Sequence, residues 1–576
     1  MKASTVAIRP DLPAVITAEV IVLAAFVALP PHRAGWWPAA TIGAVVLLVL
    51  VFKVYRRNAP GWIATWWRHH RRRRHPAPVA AAVDITHGTI VCGVRVDEYE
   101  AITMVRLSGQ PYALTLLRGS TKSLTTNVVP MDVLAGLLDH PGGLHLAGID
   151  IVSSGQRVRR AEGAYPPLYG TLLADRPAAG RRNTHLIVRL DITDSVAGLA
   201  YRESIGTAAA AATERIINAL QQRNIRANAL TADELDTALT ELGAGLVSAP
   251  QRPTESEGEE GDGDESRSRA RPPATQVTAP APRLAALAPK TRWRTIHTRA
   301  GHLATYYFSP EDITTATLNQ MWALRTDDLV QTTSICKHRN TEPGGGGPVM
   351  VAAMVRTCDP LAPAQPPTLD LNPLPGDQYA ATLRAAPTAR PRITLPTRPL
   401  RSSQPLEIPI GATGILVGAA LYDDPEANPP VRLDDLVMLS LTDPDRATRI
   451  SMDTSEFYIR QLLIRAAAVG ERIAIYSHQP TRWAALTQPN IAVAERRQPP
   501  EFVPTITVND RPTAISAAGL SSTVITLGRP ESGLPPDLHF GQTSESTVRI
   551  TTPTQAIDVA IVAFRQEQAF MGLHAA

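Results

Sequence analysis

Residues 12–30 read LPAVITAEVIVLAAFVALP, residues 36–55 read WWPAATIGAVVLLVLVFKVY, and residues 56–74 follow as RRNAPGWIATWWRHHRRRR. Each apolar run approaches the roughly 20 residues a helix needs to cross about 30 Å of hydrocarbon. Pro31 to Gly35 leave room only for a tight turn, so the reading predicts a two-helix transmembrane hairpin over residues 1–57. Seven arginines lie between Arg56 and Arg74, against one Arg and one His in the turn. That asymmetry puts the N-terminus and everything after the second span on the cytoplasmic side. A cleaved signal peptide is the competing reading for the first run, with Lys2 and Arg9 as its basic start. No small-x-small cleavage site precedes the second run, which argues against it.

Five of the eight tryptophans lie before residue 68. Trp36 and Trp37 open the second span where an aromatic belt is expected. In the basic segment and linker 58–82, Trp62, Trp66 and Trp67 stand beside Arg71, Arg72, Arg73 and Arg74. Two readings stay open there: a helix lying on an anionic membrane surface, or a plain stop-transfer anchor. Glu19 within the first span either pairs with another helix in the membrane or faces the headgroups.

The remaining 500 or so residues of the 576 exceed one ordinary core. A hydrophobic content of 44% suits globular material, and 50 prolines mark linkers. The net charge of +4 comes from the arginine block, and the chain beyond it is slightly acidic, so no nucleic-acid partner is implied. Cys92, Cys336 and Cys358 form neither a zinc spacing nor a disulfide framework, in keeping with a reducing compartment.

Strand-like runs at 89–96 and 100–107 flank Asp97-Glu98 as a hairpin. The Ala-rich run 206–224 reads as a helix, and Thr231 with Glu234 has capping-box spacing before another. Residues 83–246 therefore form a first α/β unit. Seven acids crowd between Glu255 and Glu265, so 247–290 is expected to be a disordered linker, or a docking segment for a basic partner. Residues 291–498 form a second α/β unit, with paired strands at 329–336 and 349–356 and a helix at 457–469. Residues 499–576 read as a β-rich end. The expected class is thus α/β, mixed α+β, in cytoplasmic domains hung on the hairpin.

No catalytic constellation assembles. Gly344 to Gly347 lack the Gly-Lys-Ser/Thr of a phosphate loop and join two strands, where such a loop opens a helix. Asp443-Pro444-Asp445 has the spacing of a divalent-metal motif, yet aspartates around a proline at a strand end are ordinary turn chemistry. His69, His70 and His75 sit in the arginine block as solvated or headgroup-facing residues. The expectation is no catalytic, cofactor-binding or metal residue, no cofactor and no small-molecule substrate.

The chain resembles the EccE family, a membrane component of mycobacterial type VII (ESX) secretion machines. The resemblance rests on the order of several short pieces. They include the N-terminal runs, Gly61-Trp62-Ile63-Ala64 leading into Arg71 to Arg74, Gly93-Val94-Arg95, Gln110-Pro111-Tyr112, and Ser153-Ser154-Gly155 within 150–158. Thr184 to Asp191, Ile408 to Gly418 and Gln461 to Val469 complete the set. The acidic linker and the strands after Pro499 depart from it. The resemblance implies a structural subunit of the bacterial inner-membrane complex that exports WXG100- and PE/PPE-type proteins, with EccB, EccC and EccD as partners alongside membrane lipids. The competing reading is a membrane-anchored transferase, glycosyltransferase-like, using Asp443 and Asp445.

Overall fold

A computed structural model describes residues 57–72, 79–140, 142–160, 163–247, 289–337, 347–389, 393–494, 500–510, 523–528 and 535–572, together with 6–8, 16, 19–24, 27, 37, 41, 43–46 and 52–55. The expected two-span hairpin is corrected here. Among the described residues no helix is long and apolar enough to cross a membrane. The second apolar run ends as a strand, Phe52–Val54, antiparallel to Val6–Ile8, and Tyr55 after it takes a φ of 47°. Valine and phenylalanine satisfy β preference as well as hydropathy, and a hydropathy count cannot separate the two. The arginine-rich segment forms a separate helix, α1 (Ala59–Arg72).

The α/β reading of the rest holds. Strands β1 (Glu100–Gly109), β2 (Leu144–Gln156), β3 (Arg181–Asp191), β4 (Asp328–Lys337) and β5 (Val349–Asp359) run side by side in the order β5-β4-β2-β3-β1, each antiparallel to its neighbour. Among the described residues they are the middle of a 14-stranded sheet. Strands from both sides of the 247–290 boundary therefore share one sheet, joined where Thr332 faces Val152.

Helix α2 (Ile205–Gln221) starts at Ser204, whose side chain accepts from the Thr207 amide. Its Ala208, Ala209, Ala210 and Ala212 are all buried, so small side chains bring the helix close to one sheet face beside Ile151, Leu186 and Val188. Helix α3 (Ala232–Leu242) begins with the expected capping box, Thr231 with Glu234. It covers the opposite face with α4 (Gln378–Arg384), against Met104, Val152 and Ile187. A Cβ at Gly93 would lie 2.5 Å from the Ala232 amide nitrogen, so the close approach of strand and helix there requires glycine.

The second sheet has 12 strands among the described residues. Its parallel part contains β6 (Thr448–Asp453), β7 (Ile473–Ser477), β8 (Ile506–Asp510) and β9 (Thr523–Leu527), in the order β7-β8-β9-β6. Helix α5 (Glu456–Ala468) connects β6 to β7 and is buried from Tyr458 to Ala468. The antiparallel part takes in Thr115–Arg118, which pairs with Leu436–Leu439.

Two buried ionic clusters hold these layers. Asp150 on β2 is fully buried. It accepts from Arg189 on β3 at 2.6 Å, from Arg384 on α4 at 2.7 Å and from Ser334 on β4. Burial alone raises the carboxyl, but the Arg384 and Arg189 guanidiniums outweigh it and hold Asp150 below the usual range. In the second sheet Arg465 on α5 meets Glu567 at 2.8 and 2.9 Å, both fully buried. Tyr165 and Gln461 also donate to Glu567 at 2.5 and 2.8 Å, and Arg465 donates further to the Leu416 and Val562 carbonyls.

Removing one partner of a buried ion pair strands the other charge. Asp150→Ala is expected to lower stability by about 3–5 kcal/mol in urea unfolding, and a change below about 1 kcal/mol would show that the cluster holds little. Acid weakens the fold by another route. Burial, with Arg215 and Arg202 nearby, pushes His140 from 6.5 down to about 4, and burial with Arg106 nearby does the same to His185. The unfolded chain then takes up protons that the folded chain refuses, so stability complete above pH 6.5 declines as pH falls toward 4. Thermal melting across that window checks it, and a flat melting temperature contradicts it.

Candidate functional site

Helix α1 has two unlike faces. Its N-terminus is capped by Asn58, whose side chain accepts from the Gly61 amide at 3.1 Å. Arg57 forms an ion pair with the buried Asp377, reaches Thr65 at 3.2 Å and lies 5.5 Å over the Trp62 ring. Trp62 packs at 6.0 Å on Trp293, and His69 meets the same ring edge-on at 5.4 Å. Gly376, with φ 81°, passes beneath them, and a Cβ there would lie 2.6–2.7 Å from Thr65 and Trp293. Residues 62, 65 and 69 follow helical spacing, so one stripe of α1 is pinned to the body.

The opposite stripe faces outward. Ile63 is 68% exposed and Trp66 and Trp67 are each 56% exposed. Together with Ala59, Pro60 and Ala64 they line a shallow, almost wholly apolar hollow. His70 stacks on Trp66 at 5.5 Å, Arg71 lies 5.1 Å over Trp67, and Arg68 is exposed on the same helix. Of the sequence-derived interface residues, Trp62 thus turns inward while Trp66, Trp67 and Arg71 turn outward. Arg72 ends the helix, and Trp36, Arg73 and Arg74 lie outside the described residues. Trp37 is exposed, its carbonyl accepting from Thr41 at 2.7 Å, and Glu19 is exposed on the helical stretch 19–24.

The acids proposed for a transferase serve the fold. Both oxygens of the buried Asp443 are held by Arg226, at 3.0 and 2.8 Å, and the Asp445 amide caps Asp443 at 2.9 Å. The Asp443 carboxylate is neutralised by a bidentate guanidinium and also accepts the Asp445 amide, so it is already engaged within the fold, and nothing here favours the transferase. Among the described residues no three His, Cys, Asp or Glu side chains converge as a metal site. Gly344 to Gly346 and His75 lie outside the described residues.

Sequence reasoning missed a cleft of about 890 Å³ between α3 and the second sheet, lined by Arg106, Arg181, His185, Glu234, Asp443 and Arg472 among others. Within it Arg106 pairs with Glu234 at 2.9 Å and Arg226 with Asp443, so much of its charge is neutralised internally. It also missed the Asp150 and Glu567 clusters. A signal existed: Arg189 sits in LIVRL and Arg465 in LLIRAAA, single charges in apolar runs.

These features define an α/β protein built, among the described residues, on two large sheets, with buried charges tying its parts together and an apolar, basic-edged helix face pointing outward. The family model described as the putative type VII ESX secretion system translocon, EccE, matches residues 178–308. That span runs from β3 through α2 and α3 to the strand Gly301–Phe308 of the same sheet. The ESX-2 secretion system protein EccE2 of Mycobacterium tuberculosis (strain CDC 1551 / Oshkosh) is 26% identical over 567 residues, covering 94% of this chain and 93% of the relative. The ESX-5 secretion system protein EccE5 of Mycobacterium tuberculosis (strain ATCC 25618 / H37Rv) is 27% identical over 436 residues, covering 71% and 97%. EccE5 of Mycobacterium marinum is 26% identical over 400 residues, covering 66% and 87%. The chain is thus similar to EccE proteins of ESX secretion systems, over most of its length in the first of these relatives.

Asp377→Ala removes the anchor of Arg57 and is expected to loosen α1 while the sheets persist. Amide exchange across 59–72 should then rise tenfold or more, in the manner of local opening (about 1.4 kcal/mol per tenfold). Unchanged exchange would mean that Trp62 and His69 hold the helix without the ion pair.

Proposed function

We propose that this chain is a structural subunit of a type VII (ESX) secretion complex at the bacterial inner membrane, required for assembly or stability of the machine. It acts through binding and not through catalysis. The observation that carries this reading is the collinear similarity to EccE2 across 94% of the chain. The use of Asp150, Asp443 and Glu567 as internal ties supports it, since each is engaged by arginine. The proposed partners are the EccB, EccC and EccD subunits, with membrane lipids. We place the two sheets on the cytoplasmic side. In support, Cys92, Cys336 and Cys358 are all unpaired thiols, and burial pushes Cys358 up to about 11, which keeps it unreactive.

Extraction in mild detergent through a C-terminal tag, followed by mass spectrometry, is expected to recover EccB, EccC and EccD in one large particle. A lone monomer or small homo-oligomer would overturn the scaffold. Asp445→Ala is expected to leave secretion unchanged. Loss of secretion from that variant, in a complex that still assembles, would instead favour chemistry at this turn.

A further inference from the structure

The sharpest unassigned feature is the outward stripe of α1. Ten of the 22 exposed large hydrophobic side chains among the described residues precede residue 68: Ile63, Trp66 and Trp67 on α1, and seven between Ile16 and Val45. Exposed apolar surface concentrated at one end of a chain needs a cover other than water. On α1 the two exposed tryptophans sit beside Arg68 and Arg71, and two further arginines follow at 73 and 74 in the sequence. Tryptophan prefers the boundary between headgroup and acyl chain, and arginine beside it finds the phosphates of acidic lipids. A protein partner would be matched by an apolar face alone, whereas the basic edge matches an anionic surface.

The inner stripe adds the second half of the argument. Arg57 with Asp377, Trp62 on Trp293 and the buried Thr65 fix α1 to the residues leading into α4. Helix α4 in turn bears Arg384, which pairs with Asp150 in the sheet. The helix is therefore a foot, about 21 Å long at 1.5 Å per residue, held against the body along its inner stripe.

We propose that the stripe Ile63, Trp66, Trp67 with Arg68 and Arg71 docks on an anionic phospholipid surface, and that its fixed inner face thereby sets the angle at which the two sheets stand on the membrane. This rests on the reading of the chain as a membrane-complex subunit and names the lipid class and the contact face.

The test uses the full chain in vesicles carrying nitroxide-labelled lipid, with Cys336→Ser and one fluorescent label placed through Ile63→Cys or, as a control, through Tyr201→Cys. Tyr201 is 91% exposed and distant in sequence. Phosphatidylglycerol-containing vesicles are expected to quench the label at 63 and spare that at 201. In pure phosphatidylcholine, or with Arg68→Glu and Arg71→Glu, quenching at 63 should fall to the level seen at 201. Equal quenching at both sites in every vesicle overturns the proposal, as does quenching at 63 that ignores lipid charge. A label at 63 shielded from aqueous iodide but untouched by lipid nitroxide assigns the stripe to a protein neighbour and also overturns it. Recovery of EccB, EccC and EccD with the tagged chain reports on the complex independently, so the two readings fail separately.

Discussion

One carboxylate organises the larger sheet. Asp150 is fully buried in β2, between β3 and β4, and receives Arg189 from one side, Ser334 from the other and Arg384 from the helix above. A lone buried carboxylate is too costly to keep charged, so it fixes its partners in place. Arg189 spends further hydrogens on the Thr388 carbonyl and lies 3.4 Å from Glu100 on β1. Strands from before and after residues 248–288, together with α4, are thereby committed to one register. Replacing any strand by a slipped pairing would expose the charge to apolar neighbours, which makes the cluster a device for specificity more than for stability.

Local structure was legible because its causes are local. The hairpin around Asp97-Glu98 pairs as expected, with Val96 opposite Ala101. The Thr231–Glu234 capping box forms, and α5 occupies the expected residues to within one position. Partnership between sheets was not legible. Thr115–Arg118 follows β1 by only a few residues, yet it joins the other sheet through Leu436–Leu439. Nothing in a five-residue window distinguishes a strand that continues its sheet from one that leaves it. The parallel order β7-β8-β9-β6 likewise has no local signature.

The N-terminal reading failed for a different reason. Hydropathy reports how much apolar surface a stretch carries, and membrane and protein both accept such surface. Phe52–Val54 shows the ambiguity at one point, apolar by composition and extended in conformation. The α1 segment shows a related limit. Trp62 and Trp66 are one turn apart, yet Trp62 turns onto Trp293 while Trp66 turns out. Only the positions of Asp377 and Gly376, more than 300 residues along, decide which tryptophan is structural.

The same long-range logic explains why residues 248–288 can have so unlike a composition without disturbing the fold. Gly245, before that stretch, lies close enough to Pro289, after it, that a Cβ would sit 3.6 Å from the proline ring. Ala244 and Leu246 pack beside Ile296 and Leu303 across the same junction. The chain thus leaves and re-enters the body at one place, and both flanks are closed by their own apolar contacts. Loop closure costs grow only slowly with loop length, so pinned ends tolerate connections of very different length. Asp150, a single acid inside the core, is by contrast answerable to the whole fold.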